Sequence, residues 1–137
     1  MSEILLPAGW AKPSGYANGI AADIATNGRL VFVAGQIGWN PATAEIETDD
    51  FAAQTEVALR NVAAVLREAG AGPEHVVRMT WYVTDKAAYL VARREIGGAW
   101  REVMGRNYPA MAVVVVSALI EDRAKVEIEA TAVIPEP

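Results

Sequence analysis

Residues 125–133 read Lys-Val-Glu-Ile-Glu-Ala-Thr-Ala-Val, an alternation that a β-strand converts into two faces. Val126, Ile128, Ala130 and Ala132 fall on one side, and Lys125, Glu127, Glu129 and Thr131 on the other. The apolar side belongs to a core. The polar side sets two carboxylates roughly 6–7 Å apart along one strand.

Upstream, residues 112–118 (Ala-Val-Val-Val-Val-Ser-Ala) form a continuous apolar run, the pattern of a strand covered on both faces. Residues 76–83 (Val-Val-Arg-Met-Thr-Trp-Tyr-Val) are β-branched and aromatic and end at Thr84-Asp85, so they predict a strand followed by a helix N-cap. Tyr89, Ala92, Ile96, Ala99, Trp100 and Val103 continue at helical spacing to Gly105. Gly97-Gly98 interrupts that helix at a cost of about 1 kcal/mol per glycine relative to alanine, and marks either a close backbone approach or a break. An earlier helix is predicted from Asp50, with Ala58, Val62, Val65, Leu66 and Ala69 on one face, Asp49 or Asp50 at its N-cap and Gly70 at its C-terminus. Before it, residues 17–24 and 30–37 flank Thr26-Asn27-Gly28-Arg29 and predict an antiparallel hairpin, because Asn-Gly tolerates positive φ. Asn40-Pro41-Ala42-Thr43 reads as a turn and residues 45–47 as a short strand.

These elements give an α+β fold, a mixed sheet with two helices on one face. Residues 1–137 are expected to form a single domain, since a chain of this size needs one core. No element remains to cover the second sheet face, so the expectation is a homo-oligomer that closes it, in a barrel-like assembly.

Composition narrows the chemistry. Seventeen acidic against twelve basic residues give a net charge of −5, a field that repels phosphate backbones and anionic membrane surfaces, so neither nucleic acid nor membrane is an expected partner. There is no cysteine and one histidine, His75, so no metal site and no thiol chemistry are expected. No nucleotide-binding glycine motif or serine-hydrolase elbow occurs, and no cofactor is expected. The first residues have neither the basic start nor the apolar core of a secretory signal, and a cytoplasmic location is expected. Glu127 and Glu129 are the acid/base candidates, because burial at a subunit interface favours the protonated form of a carboxylate. Their alternative is pairing with Arg or Lys, or plain solvation. Tyr16 is a loop candidate for a pocket, or a packing cap. Arg93 and Arg94 suit a substrate carboxylate or a solvated helix face, and His75 suits the surface.

Several separated motifs are similar to the RidA/YjgF family. They are Gly35-Gln36-Ile37-Gly38-Trp39-Asn40-Pro41, the helix ending Leu-Arg-Glu-Ala-Gly, the Tyr82-Val83-Thr84-Asp85 that follows, the turn Tyr108-Pro109-Ala110, and the closing strand. The resemblance implies a chorismate-mutase-like fold and a homotrimer whose sheets close a central barrel. It also implies a small-molecule ligand in each intersubunit cleft, and hydrolysis of enamines or imines, aminomuconate-type intermediates among them. It implies Glu127 as the residue that activates water, and Tyr16, Ala34, Gly35, Met111 and Val113 as substrate-binding positions. Three of these depart from the family pattern: Met111 replaces the arginine that grips a substrate carboxylate, Ala34 a serine, and Val113 a cysteine. Either the ligand lacks that carboxylate or another cation replaces the clamp, and Arg94 is the candidate replacement. Trp39 and Trp81 are either ring-binding walls or packing residues. A non-catalytic metabolite-binding or regulatory trimer is the alternative to a deaminase-like hydrolase. Ribonuclease activity, associated with some relatives, is disfavoured by the acidic charge balance.

Overall fold

The computed structural model describes residues 2–12, 15–17, 19–24 and 26–135. Strands β1 (Ser2–Leu5) and β2 (Gly19–Ala22) form an antiparallel pair. The remaining strands, β3 (Arg29–Ile37), β4 (Val76–Val83), β5 (Ala110–Val115) and β6 (Val126–Ile134), form a mixed sheet in the order β3-β6-β4-β5. β4 and β5 run parallel and the other neighbours antiparallel. Helices α1 (Phe51–Glu68) and α2 (Lys86–Met104) lie together on one face.

The alternation in β6 does what its sequence requires. Val126, Ile128, Ala130 and Ala132 are buried, and the side chains between them are half-buried on the opposite face. β4 follows the same rule with Met79, Trp81 and Val83 inward. Leu59, Val62 and Leu66 of α1 close over these residues, with Ile96, Trp100 and Met104 of α2 completing the core. Both helices start at aspartate caps, Asp50 accepting from the Ala53 N–H (2.9 Å) and Asp85 from the Ala88 N–H (3.0 Å). α2 passes unbroken through Gly97-Gly98, and a Cβ at Gly98 would meet open space, so neither a break nor a backbone approach explains that residue.

One buried amide ties the two layers. Gln54, fully buried in the first turns of α1, donates to the carbonyls of Thr48 (2.9 Å) and Arg123 (3.0 Å) and accepts from the Lys125 N–H (2.9 Å). Gly38 makes room for it: a Cβ there would fall 2.5 Å from the Gln54 carbonyl oxygen, a backbone atom that cannot swing aside.

Three local expectations need correction. Thr26-Asn27 does turn the chain, yet β2 pairs with β1 rather than β3. The preceding segment is pinned at the far edge of the sheet, where the Ala17 N–H donates to the Pro109 carbonyl (3.0 Å) and Ala17 bridges Ala110, three strands away from β3. Residues 45–47 make no strand; a single rung, Asn40 to Glu45, closes a tight turn that places Ala44 at φ 58°. β5 spans Ala110–Val115 instead of 112–118, and as an edge strand it leaves Val114 and Val115 exposed.

Two stability measurements check this account. Gln54→Ala strands three backbone groups and should cost about 3 kcal/mol or more in urea unfolding at fixed protein concentration. Gly98→Ala should stabilise by about 0.5–1 kcal/mol in the same assay; a loss of stability would mean that the helix needs its glycine.

Candidate active site

Each candidate residue takes its place from the register of the sheet. Glu127 lies opposite Tyr82 of β4, on the face that the helices leave open. β3 carries a bulge between Val33 and Gln36, so Ala34 and Gly35 together stand against Glu129 of β6. That bulge brings Gly35 under the Glu127 side chain, where a Cβ would fall 2.5 Å from the carboxylate oxygen Oε2 and 2.9 Å from Cγ. Gly35 has no positive φ; the missing side chain is what the carboxylate needs. Ala34 lines a neighbouring recess of about 410 Å3 on the same face, with Phe32, Arg78, Thr80, Glu129 and Thr131.

Glu129 is engaged. The Tyr82 hydroxyl donates to its Oε1 at 2.7 Å. This bond, with partial desolvation and the negative charges of Glu129 and Glu127, raises the Tyr82 pKa above 10.0, against a smaller opposing pull from Arg78. Tyr82 was not among the sequence candidates. Its signal was there in the alternation of 76–83, which sends Trp81 inward and Tyr82 to the polar face, but the partner across the sheet is not written in that segment.

Met111 and Val113 occupy the other face. Met111 stands opposite Met79, and Val113 opposite Trp81, and both pack against the core. From Glu127, Met111 lies three rungs along and two strands across, roughly 14 Å away by ordinary strand spacing and on the reverse side of the sheet. Tyr16, 43% exposed, stays close to Met111 because the Ala17–Ala110 bridge holds its segment to the start of β5. Ser14 and Asn18, which frame Tyr16 in the sequence, lie outside the described residues. Within one chain, then, Gly35 lies with Glu127 on one face of the sheet, while Met111 lies on the other, near the segment that carries Tyr16.

Arg94 is exposed on α2 and does not border the hollow beside Met111. Arg93 and Arg101 do, together with Gly15, Trp81, Tyr89, Ile96, Gly97, Trp100 and Tyr108. Trp81 belongs to the core, and Trp39 packs in a second small cluster with Ile37, Ile46 and Ala124. His75 is a local cap, its Nδ1 accepting from the Gly72 N–H at 2.9 Å. Among the described residues no group of three or more His, Asp or Glu side chains is placed to hold a metal ion, and no helix is long and apolar enough to cross a membrane.

Comparison with known proteins places the chain in a family and agrees with its fold. The profile of the family described as Endoribonuclease L-PSP matches residues 14–134. A RutC family protein of Pyrococcus horikoshii is 34% identical over 133 residues, covering 96% of this chain and 98% of its own. The crystal structure of YyfB of Yersinia pestis, a Rid family protein described as being of unknown function, superposes with a TM-score of 0.79 at 33% identity, over 96% of this chain and 97% of that one. A human 2-iminobutanoate/2-iminopropanoate deaminase is 28% identical over 105 residues, 77% of this chain and 73% of its own. The chain belongs to the RidA/YjgF family.

The Tyr82–Glu129 bond is measurable. The folded chain holds the phenol proton more tightly than the ordinary value of 10.0, so the bond's stabilisation is complete below that pH and lost as pH rises through the folded value. Ultraviolet titration of tyrosinate, with Tyr82→Phe used to assign the signal, should place Tyr82 above 10.0, and Glu129→Gln should bring it down. A midpoint unchanged by Glu129→Gln would mean that the bond is absent in solution.

Proposed function

We propose that the protein is a deaminase-like hydrolase of enamines or imines that works as a homotrimer, with each site shared between two copies. The observation that carries this reading is the pairing of Gly35 with Glu127. A carboxylate laid over a glycine keeps its place only while that strand position carries no side chain, an arrangement useful for holding water against a ligand. Residue placement supports it further. The Tyr16–Met111 half-site lies on the other face and edge of the sheet, so a second copy is the natural source of the missing half. The uncovered sheet face and the bare β5 edge are where that copy would pack.

In the proposed reaction, water held by Glu127 attacks the imine carbon while the carboxylate accepts a proton, giving a carbinolamine. The carboxylate passes that proton to the nitrogen of the adduct, then carries the hydroxyl proton to the same nitrogen as the C–N bond breaks, so ammonia leaves with the carbonyl product and Glu127 is again ionised. Protons balance, and no cofactor is consumed. An enamine enters the same route after protonation at carbon. The small-molecule ligand is thus the only partner besides the protein's own copies.

The binding or regulatory trimer keeps one argument, the replacement of the family arginine by Met111. Turnover separates the two readings. Imines generated from a panel of amino acids by an amino-acid oxidase should release ammonia faster with protein than without. Glu127→Ala should abolish the difference, and Gly35→Ala, which displaces the carboxylate, should lower the rate at least tenfold while leaving the fold intact. Equal release with and without protein across the panel rejects the hydrolase. Sedimentation should give a trimer; a folded monomer rejects the shared site.

A further inference from the structure

The hollow beside Met111 has a composition unlike that of a simple carboxylate clamp. It has a volume of about 430 Å3 and is bounded by Trp81, Trp100, Tyr108, Tyr89 and Ile96, with Met111 at one end. Trp100 and Tyr108 are near-parallel, 7° apart in plane with centroids 6.0 Å apart, and Trp81 adjoins Trp100 at 6.1 Å. Two cations stand at this aromatic wall. Arg93 and Arg101 are exposed, and neither is ion-paired with a carboxylate among the described residues. The Arg93 Nε donates to the Leu90 carbonyl (3.3 Å), which fixes the guanidinium plane while its terminal nitrogens bond to no described residue.

Arg93, Gly97 and Arg101 follow one another at four-residue intervals, so they form one stripe on α2 facing the hollow. Gly97 thereby acquires a reason that neither a helix break nor a backbone approach supplies: a side chain there would project into the cavity between the two arginines.

We propose that this cavity binds a flat, ring-bearing or conjugated organic acid, with its carboxylate on Arg93 and Arg101 and its unsaturated body along Trp100, Tyr108 and the Met111 thioether. The cation that the β5 position lacks is thus supplied from α2, and Met111 provides apolar contact in exchange. This extends the proposed function by naming its substrate class, the imines of aromatic or conjugated 2-oxo acids, and the arginine pair with Gly97 would set that preference. Arginine suits the task because its fork meets a carboxylate through two parallel bonds, and aromatic faces favour a planar ligand.

Product analogues test it without turnover. Isothermal titration with phenylpyruvate and with pyruvate should show phenylpyruvate binding at least tenfold more tightly. Arg93→Gln should weaken phenylpyruvate by about tenfold or more, the loss expected for a charge-assisted bond, and Gly97→Leu should exclude it by filling the cavity. Circular dichroism melts confirm that both variants fold. If phenylpyruvate binds no better than pyruvate, or if Arg93→Gln leaves its affinity unchanged, the assignment is wrong. Arg93-dependent binding by a wild-type protein that hydrolyses no imine would support the cavity and reject the hydrolase, so the two proposals fail separately.

Discussion

The hold of Gln54 on three backbone groups is the constraint from which the functional geometry descends. Its amide joins the start of α1 to the two residues that deliver the chain into β6, and the Lys125 bond lies two positions before Glu127. Once Lys125 is fixed, period-two alternation decides which face every later side chain of β6 takes. A slip of one residue would bury Glu127 and Glu129 against the helices and turn Ile128 outward. The cost of burying charge without a partner makes that alternative prohibitive. Gly38 is part of the same lock, since the clasp closes only where β3 ends without a side chain in its way.

The sheet then acts as a partition. Its helix side collects Met111, Val113, Trp81 and Trp100, and its other side collects Glu127, Glu129, Tyr82 and the bulge at Ala34-Gly35. Met111 and Glu127 are thereby built into one chain but kept from meeting within it. Under the proposed assembly, catalysis and association become one requirement. The hollow beside Met111 then takes its ligand-facing character from α2, whose sequence can change without disturbing the ladder of the sheet.

Much of this was legible from periodicity and caps. Asp50 and Asp85 mark both helix starts, and the segments 76–83 and 125–133 announce their strands and their inward faces. What local pattern does not encode is partnership. Asn27-Gly28 prescribes a reversal but not the strand that β2 will join, and the Ala17–Ala110 bridge sends it elsewhere. Likewise Glu129 meets Tyr82 across a strand boundary from a residue 47 positions away. The choice between Arg93 and Arg94 is a matter of about 100° around a helix. It was readable only by noticing that Arg93, Gly97 and Arg101 share a stripe with four-residue spacing. The bulge that slides Gly35 beneath Glu127 is subtler still, because a one-residue excess in β3 leaves no compositional trace.

The β5 margin carries one more implication. It presents Val114 and Val115 beside backbone groups that no neighbouring strand satisfies among the described residues, a short uncharged stretch of high β-propensity at an open rim. Under the proposed assembly a newly made chain is therefore sticky before it finds its siblings, and substitutions designed to keep the copies apart would yield precipitate or fibrils rather than a tidy soluble subunit. In the proposed trimer, quaternary contact guards against self-templating as much as it serves chemistry.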